Sequence, residues 1–358
     1  MAPVAHALRG VKGIDIRILN TGQHVELIQH VLEIFDIKVD ISLNVMRNED
    51  SLDRLTSRIL TSSSDYFKKE NPDAIMVHGD TITSMAIALS GFYLKIPIYH
   101  VEAGLRSGDY FNPFPEEMNR VVVGRLATYH FAPTAGAREN LLAEGVLDDQ
   151  ISITGNTVID ALLLVAEKVD SIAGRFDIVD ICQLSELEGR HLVLVTCHRR
   201  ENLGDALIHV CSAIKELAKT QKFKFLFVLH MNPIARDVAI RELNNVEHVQ
   251  LSEPMDYIDT IRVLKKAKFL LTDSGGLQEE APAFGTPVLV LREKTERPEG
   301  VEAGIAILVG TETEAIVQAA LSLVQSEESY MKVAKAINPY GDGYAGVRIA
   351  DFIAAQLR

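Results

Sequence analysis

The feature that most constrains the fold is an alternation, along the whole chain, of short apolar segments with amphipathic helical patterns. Apolar runs of this kind predict buried strands, and apolar spacings of three or four residues predict helices packed on them. Strands that alternate with helices pair in parallel, with helices on both faces of the sheet. The chain is therefore predicted to be an α/β protein with doubly wound parallel sheets. The predicted strands are 14–19, 74–77, 96–100, 129–132, 151–153, 192–196, 223–229, 248–251, 269–272 and 287–291.

The length of the chain indicates two domains. With 358 residues it is long enough for two substantial cores, and a polar segment at 165–190 carries no clear strand pattern. We predict a Rossmann-like N-terminal domain at 1–165, a second Rossmann-like domain at 166–343, and a C-terminal helix at 344–358. Ligands of such sheets bind beyond the carboxyl ends of the strands, so two domains that face each other would share one cleft.

Charge and composition exclude several classes of partner. The formal net charge is −13, and a negative field disfavours nucleic acid and anionic membrane surfaces. No apolar run reaches the roughly 18 residues of a membrane span, and the first residues lack the form of a secretion signal. The three cysteines (Cys182, Cys197 and Cys211) have no CxxC spacing, which fits neither a disulfide framework nor a cysteine zinc site. We expect a cytoplasmic protein without a metal, a nucleic-acid partner or membrane contact.

The most specific local pattern is Thr-Asp-Ser-Gly-Gly-Leu-Gln-Glu-Glu-Ala-Pro at 272–282. It follows an apolar run and precedes helix-forming residues, so a strand, a small-residue turn and a helix start come in succession. Backbone N–H groups at a helix start lack intrahelical partners, and glycine allows a phosphate to approach them closely. Polar residues that include Glu280, and Arg297 further on, add acceptors for sugar hydroxyls and a guanidinium group. Together they favour a nucleotide-diphosphate-sugar site over a generic turn.

Three acidic residues stand where predicted strands end or a helix begins. Asp80 follows the strand at 74–77, Glu102 follows the strand at 96–100, and Glu116 begins a helical pattern after two prolines. Each has an ordinary explanation: a helix cap for Asp80, a surface ion pair for Glu102, and a favourable helix dipole for Glu116. Their expected proximity favours a role in proton transfer, because carboxylates at one edge of a parallel sheet share a crevice and raise each other's pKa.

The second half of the chain has a cationic segment, Thr-Cys-His-Arg-Arg-Glu-Asn at 196–202, directly after an apolar strand. A lone histidine in this position is more often structural. Three neighbouring residues that carry or accept a positive charge favour contact with a phosphate instead. His198 is therefore a candidate to neutralise or protonate a leaving phosphate.

Eight motifs in a fixed order give the chain a family resemblance. They are HGDT at 78–81, VEAGLRSGD at 101–109, PFPEEMNR at 113–120, ITGNTVIDAL at 153–162, HRREN at 198–202, TDSGGLQEEAP at 272–282, ERPE at 296–299 and NPYGDG at 338–343. The chain closely resembles the non-hydrolysing UDP-N-acetylglucosamine 2-epimerases of bacteria, and the resemblance runs from the first residues to the C-terminus.

The resemblance implies a glycosyltransferase-B-type fold, with two Rossmann-like domains around a cleft and a C-terminal helix that crosses back to the first domain. It implies interconversion of UDP-GlcNAc and UDP-ManNAc without NAD or a metal. In that mechanism a base removes the proton on C2 while UDP leaves C1, and UDP then adds back to 2-acetamidoglucal with protonation on the other face. We expect a homodimer that supplies ManNAc-type sugars for cell-surface polysaccharide synthesis.

The resemblance also assigns roles to residues. The catalytic positions of the family fall on Asp80, Glu102, Glu116 and His198. The contacts to UDP and the substrate fall on Ser274, Gly275, Gly276, Glu280 and Arg297. Some relatives bind a second UDP-GlcNAc as an activator beside a Gln-His pair, which is Gln23-His24 in this chain.

The chain departs from the family pattern in two places. Relatives often have a glutamine at the position of Met255 and an aromatic residue at that of Thr260, both near the uracil, so these contacts are not carried over. Relatives also begin with an apolar strand and a Gly-Thr-Arg-Pro-Glu phosphate loop before a Met-Ala-Pro-Val segment, which here is residues 1–4. We expect the native gene product to begin roughly 15 residues upstream, and the chain without that segment to be less stable and nearly inactive.

Other classes share the fold and the nucleotide site, because fold does not determine function. A hydrolysing 2-epimerase would release free ManNAc, and a retaining glycosyltransferase would require an acceptor. The three carboxylates favour proton chemistry at carbon over sugar transfer. A catalytically impaired nucleotide-sugar-binding protein is the remaining alternative, and the absent strand and loop favour it.

Overall fold

The computed structural model describes residues 1–22, 25–45, 51–169 and 189–356. The two residues predicted for an activator site, Gln23 and His24, lie outside this description.

The chain separates into two compact units. The first unit is Met1–Ala161 together with Tyr340–Arg358, and the second unit is Leu162–Pro339. In chain order the described helices are α1 (Ala2–Arg9), α2 (Val25–Ile34), α3 (Leu52–Glu70), α4 (Ile82–Tyr93), α5 (Glu116–Leu126), α6 (Ala135–Ala143), α7 (Thr157–Ala166), α8 (Asp205–Lys219), α9 (Pro233–Leu243), α10 (Tyr257–Lys266), α11 (Gly275–Glu280), α12 (Pro298–Glu302), α13 (Thr313–Leu323), α14 (Glu327–Ala334) and α15 (Ala345–Gln356). The described strands are β1 (Leu19–Asn20), β2 (Ile41–Ser42), β3 (Ile75–His78), β4 (Ile98–Val101), β5 (Tyr129–Ala132), β6 (Ile151–Ile153), β7 (His191–Thr196), β8 (Phe223–Val228), β9 (Val249–Ser252), β10 (Phe269–Thr272), β11 (Val288–Val290) and β12 (Ala306–Leu308).

All strand pairs in the described ranges are parallel. The first unit has a four-stranded sheet in the order β3-β4-β5-β6 and a separate pair, β1-β2. The second unit has a six-stranded sheet in the order β12-β11-β10-β7-β8-β9. The chain builds this sheet outward from β7 in one direction and from β10 in the other, so the strand order reverses between them. The α/β class predicted from the alternation is confirmed.

The strands of the six-stranded sheet are apolar on both faces because helices cover both faces. Val193 and Val195 of β7 point into one core cluster. Leu192 and Leu194 of the same strand point into a second cluster. All four are at most 3% exposed, which is why the sequence shows a continuous apolar run here rather than alternation.

The first predicted strand is much shorter than its pattern indicates. The apolar residues at 14–19 predict a strand, but β1 contains only two residues. Its partner β2 is equally short, and the N–H of Ile18 donates to the Asp40 carboxylate at 2.8 Å instead of to a strand. Ile14 and Ile16 are partly buried against a core cluster of the first unit. An apolar run indicates that side chains are buried, and at 14–18 the apolar side chains are partly buried without the hydrogen-bonded ladder of a strand.

Two of the family motifs attach α15 to the rest of the first unit. The Asp160 carboxylate accepts a hydrogen bond from the Gly346 N–H at 2.7 Å, where α15 begins. A carboxylate is favourable there because the free N–H groups of a helix start carry partial positive charge. The Asn156 N–H donates to the Tyr340 carbonyl at 2.6 Å, and an added Cβ at Gly346 would lie 3.0 Å from the backbone of α1. Contacts within the first unit therefore explain Asn156 and Asp160 of one motif and Tyr340 of the other.

Candidate functional site

Asp80 and Glu102 lie at the carboxyl edge of the four-stranded sheet. Each follows within two residues of a strand end, β3 for Asp80 and β4 for Glu102. The Nε2 atom of His78 lies 2.9 Å from a carboxylate oxygen of Glu102. Glu102 has a φ of 61°, a left-handed conformation that is costly for residues other than glycine and is concentrated at functional sites. The adjacent strand ends therefore bring the two predicted carboxylates to one edge.

Asp80 is not the residue that caps the following helix. Helix α4 begins at Ile82, and the hydroxyl of Thr81 accepts a hydrogen bond from the Ser84 N–H at 3.1 Å. The Asp80 carboxylate instead pairs with Arg120, with 2.7 Å between an oxygen and a guanidinium nitrogen. The sequence left two interpretations open for Asp80, a helix cap and an acid or base. The structure excludes the first, because Thr81 caps α4.

The surroundings of Asp80 raise the pKa of its carboxyl group above the usual value. Burial is the largest cause, and the charges of Glu102 and Glu116 raise the pKa further, whereas the charge of Arg120 lowers it. Such interactions fall off with distance, so the three predicted carboxylates form one group, which we call the carboxylate cluster (Asp80, Glu102 and Glu116). A carboxyl group with a raised pKa is suited to general acid–base catalysis near neutral pH.

The two glutamates at the start of α5 have different surroundings. Glu117 is buried, and one of its oxygens accepts hydrogen bonds from the N–H groups of Ser107 and Gly108 at 2.9 and 3.0 Å. Its other oxygen lies 2.9 Å from Arg120. Glu117 thus holds the loop that follows β4 and orients Arg120. Glu116 is partly exposed, so of this pair it is the glutamate accessible to a ligand.

Gly104, in the loop between β4 and α5, leaves no space for a side chain. An added Cβ would lie 2.2 Å from the carbonyl oxygen of Ala137 in α6, and φ is 90°. We expect Gly104→Ala to lower the free energy of unfolding by about 3 kcal/mol or more, because backbone overlap adds to left-handed strain. Chemical denaturation followed by circular dichroism measures this change.

Gly108→Ala is the matched control for that substitution. Gly108 has a φ of 78°, but no atom lies within 4 Å of an added Cβ. Only the conformational strain applies, so the expected loss is about 1–2 kcal/mol. An equal decrease in the free energy of unfolding in the two variants would show that the close contact with α6 does not add to the cost.

In the second unit, Asp273 positions the segment that contains His198. Asp273 is fully buried directly after β10. Its Oδ2 atom accepts hydrogen bonds from the backbone N–H groups of His198 and Arg199 at 2.9 and 2.8 Å, and from the Asn202 side chain at 3.0 Å. Its Oδ1 atom lies 3.3 Å from Nδ1 of His198. The ends of the adjacent strands β7 and β10 are thereby joined through one carboxylate.

The imidazole of His198 stacks on that of His230, with ring centroids 4.9 Å apart and planes 12° apart. The Asn232 N–H donates to Nδ1 of His230 at 3.0 Å, so in this geometry Nδ1 carries no proton. Burial is the main cause that lowers the pKa of His198; the charge of Asp273 opposes it, and His230 and Arg199 lower the pKa further. The negative charge of a phosphate beside His198 would raise that pKa and favour the protonated ring.

Glutamates hold the arginines near His198 in place. Arg199 lies 2.6 Å from one carboxylate oxygen of Glu296, and Arg292 pairs with the other oxygen. Arg297, predicted to contact the substrate, pairs with the buried Glu279. These ion pairs fix the positions of guanidinium groups around the predicted phosphate turn.

The segment Ser274-Gly275-Gly276 follows β10, and its two glycines are the first residues of α11. The Ser274 side chain makes no capping hydrogen bond. An added Cβ at Gly275 would lie 3.0 Å from an oxygen of Glu296, whereas no atom lies within 4 Å of one at Gly276. The turn is at the point where the strand order reverses, between β10 and β7. Open α/β sheets bind their ligands at such switch points.

Glu280, predicted to contact the nucleotide, ends α11. Burial raises the pKa of its carboxyl group to about 7, and the charge of Glu279 contributes to the increase. The two positions at which this chain departs from relatives have local roles. Met255 packs against a core cluster, and the Thr260 hydroxyl donates to a backbone carbonyl at the start of α10, at 2.7 Å.

The sequence patterns assigned no role to Arg120 or Asp273, although both organise the predicted site residues. Arg120 follows Glu116 by four residues, a spacing that places both on one face of α5. Asp273 directly follows the apolar strand in the 272–282 pattern. Both signals were present, but only the structure shows which carboxylate or backbone group each residue contacts.

Other kinds of site are less well supported by the described residues. Within the described ranges, no group of three or more His, Cys, Asp or Glu side chains is arranged to hold a metal ion. That part of the chain also contains no helix both long and apolar enough to span a bilayer. Cys197 and Cys211 are buried free thiols, and burial raises the pKa of both, so neither is poised as a nucleophile.

The chain matches known proteins along nearly its whole length. The family model for UDP-N-acetylglucosamine 2-epimerase matches residues 6–354. The UDP-N-acetylglucosamine 2-epimerase of Escherichia coli K12 is 43% identical over 359 residues, which cover 98% of this chain and 94% of that protein.

Two solved structures with bound nucleotide are also similar. The UDP-GlcNAc 2-epimerase of Neisseria meningitidis bound to UDP-GlcNAc has a TM-score of 0.85 and 41% identity, over 99% of this chain and 96% of that chain. The complex of MnaA from S. aureus with UDP has a TM-score of 0.85 and 40% identity, over 100% of this chain and 93% of that chain. The glycosyltransferase-B-type fold expected from the resemblance is confirmed. The chain belongs to the UDP-N-acetylglucosamine 2-epimerase family.

Proposed function

We propose that this protein is an isomerase that interconverts UDP-GlcNAc and UDP-ManNAc by inverting C2 of the sugar. The observation that carries the proposal is the carboxylate cluster, in which burial and neighbouring carboxylates raise the pKa of Asp80. Inversion at carbon requires a group that removes a proton near neutral pH and a group that returns one. A carboxyl group with a raised pKa is suited to one of these transfers, and a neighbouring carboxylate is available for the other. The relatives bound to UDP-GlcNAc and to UDP support this substrate class.

In the proposed reaction a carboxylate of the cluster removes the proton on C2. The electron pair of that C–H bond forms a C1–C2 double bond while the C1–O bond breaks, and the electron pair of the C1–O bond leaves with UDP. The products of this half-reaction are 2-acetamidoglucal and UDP. Return of UDP to C1, with protonation of C2 from the opposite face, gives the epimer. Asp80, Glu102 and Glu116 share the two proton transfers.

The second unit is proposed to bind UDP and to assist its departure. Cleavage of the C1–O bond adds negative charge to the β-phosphate, and a proton donor or cation there lowers the barrier. We assign this role to His198. The diphosphate contacts are assigned to Ser274, Gly275 and Gly276. The ribose contact is assigned to Glu280, and a further substrate contact to Arg297.

We further propose that the protein is a cytoplasmic homodimer that supplies ManNAc-type sugars for cell-surface polysaccharide synthesis. Buried free thiols and a net charge of −13 support a reducing aqueous compartment. Gln23 and His24 are proposed to belong to an activator site for a second UDP-GlcNAc.

Incubation of UDP-GlcNAc with the protein in D2O, followed by proton NMR, tests the proposal. Epimerisation places deuterium at C2 of UDP-linked sugar and produces UDP-ManNAc. Release of free ManNAc would identify a hydrolysing epimerase, and an unchanged substrate would identify a nucleotide-sugar-binding protein. The assay is run on the 358-residue chain and on the chain extended by the strand and loop of relatives. The more active form is the parent enzyme for the substitutions below.

Glu280 gives a prediction about pH. Its carboxyl group has a pKa of about 7, and accepting hydrogen bonds from ribose hydroxyls favours the ionised form. Below pH 7 the carboxyl group must first lose its proton, so we expect UDP affinity to fall as pH decreases through about 7. Glu280→Gln removes this titration. Calorimetric titration of UDP from pH 5.5 to 8.5 should show a steeper pH dependence in the parent enzyme than in Glu280→Gln, and parallel curves would contradict the ribose role.

A further inference from the structure

Two buried side chains from other elements hold the backbone of Asp80. The Nε2 atom of His100, on β4, lies 2.9 Å from the carbonyl oxygen of Gly79. The side-chain amide of Asn119, on α5, donates to the carbonyl oxygen of Asp80 at 2.8 Å. These two carbonyls belong to the peptide groups on either side of the Asp80 Cα atom. Since each peptide group is planar, holding both restricts φ and ψ of Asp80 and therefore the direction of its Cβ.

We infer that His100 and Asn119 are positioning residues for the Asp80 carboxylate, an inference that rests on the proposed role of Asp80 in proton transfer at C2. Each residue acts through the backbone, while Arg120 holds the carboxylate itself. Proton transfer depends on distance and alignment, and a displacement of about 1 Å can cost roughly 10²-fold in rate. A fixed backbone at Asp80 therefore contributes to turnover in addition to the carboxylate itself.

The chemistry of His100 supports a specific rather than a space-filling role. The ring is 1% exposed, and burial lowers its pKa to about 3, so it is neutral at any working pH. A carbonyl oxygen only accepts, so Nε2 carries the proton and donates it to Gly79. The Nδ1 atom has no hydrogen-bond partner among the described residues, which costs free energy in a buried site. An apolar side chain would avoid that cost, and the bond to Gly79 is what the imidazole adds.

Asn119 belongs to the same helix as two residues that act on Asp80 directly. Helix α5 begins with Glu116, whose charge contributes to the raised pKa of Asp80, and continues to Arg120, which pairs with its carboxylate. Asn119 is 5% exposed and reaches the main chain of Asp80. One helix thus supplies the hydrogen bond to the backbone and the ion pair to the carboxylate of Asp80.

His130 provides an internal comparison for His100. It is the strand neighbour of His100, on β5, with ring centroids 6.5 Å apart. It is also 1% exposed, and its Nδ1 atom has no partner in the described part of the chain. No hydrogen bond between His130 and the Gly79-Asp80 segment is found among the described residues. The same substitution at the two histidines therefore separates positioning of Asp80 from packing of the sheet.

The test uses two side chains of similar length, one with an N–H donor and one without. His100→Met is expected to lower kcat of the parent enzyme by about 10–100-fold, with KM for UDP-GlcNAc and Kd for UDP within about twofold. His100→Gln keeps a donor toward Gly79, so its kcat is expected to be about fivefold or more above that of His100→Met. Asn119→Leu should lower kcat to a similar extent as His100→Met, while His130→Met should keep kcat within about threefold. Thermal unfolding of each variant confirms that the chain is folded.

Several outcomes would overturn the inference. Equal kcat in the His100→Met and His100→Gln variants would show that the donor is irrelevant. An equal loss in His130→Met would assign the effect to packing of the sheet. If His100→Met does not fold, a folded Asn119→Leu variant with full kcat overturns the inference. A parent enzyme without epimerisation would overturn the proposed function and this inference with it, whereas an active parent with unaffected variants overturns the positioning role alone.

Discussion

Replacing Asp80 with asparagine is expected to lower kcat for epimerisation by about 10²–10⁴-fold and to leave the Kd for UDP nearly unchanged. The amide keeps the shape of the side chain but neither takes nor gives a proton near neutral pH. The expected loss is large because burial and the carboxylates around Asp80 raise the pKa of the group that is replaced. Initial rates by proton NMR and calorimetric titration of UDP measure the two quantities.

The structure separates this effect from a loss of stability. A helix cap contributes about 1 kcal/mol, but Thr81 performs the capping of α4, so Asp80→Asn should not remove a cap. Asp148→Asn is the matched control, because Asp148 has a side chain that is 69% exposed and pairs with Arg138 elsewhere in the first unit. An Asp80→Asn enzyme with the turnover of its parent would remove Asp80 from the catalytic residues.

Replacing His198 with alanine is expected to lower kcat in both directions by about 10²–10³-fold. The imidazole is held beside the buried Asp273 and stacked on His230, so a phosphate placed there meets a ring of fixed orientation. A phosphate charge raises the pKa of His198, and the protonated ring then offsets the charge that develops on departing UDP. The effect belongs to the step that breaks or forms the C1–O bond, so the rate should fall more than UDP affinity.

Two measurements check the role of His198. The rate of UDP-GlcNAc epimerisation and the rate at which added UDP and 2-acetamidoglucal combine should both decrease in His198→Ala. His209→Ala is the control in the same unit, because His209 is 44% exposed and lies near Glu312 at the surface. Unchanged rates in His198→Ala would assign this histidine a structural role.

Local patterns in the sequence determined the elements and the class of chemistry. The predicted strands at 129–132 and 269–272 coincide with β5 and β10, because side-chain periodicity reflects local backbone geometry. The placement of Asp80 and Glu102 after strands followed from the same reasoning. The pattern at 14–19 was wrong as a strand because a strand also requires a paired neighbour, and β2 offers only two residues.

Only the tertiary structure decided what each polar side chain does. It distinguished Glu116 from Glu117, placed Arg120 on the carboxylate of Asp80, and put Asp273 beside His198. It also showed that the motif containing Asp160 serves the attachment of α15. The physical reason is that hydrogen bonds, ion pairs and pKa values depend on groups that are close in space but far apart in the chain. A sequence pattern carries residue types and spacing, while burial and the identity of each partner exist only after the chain has folded.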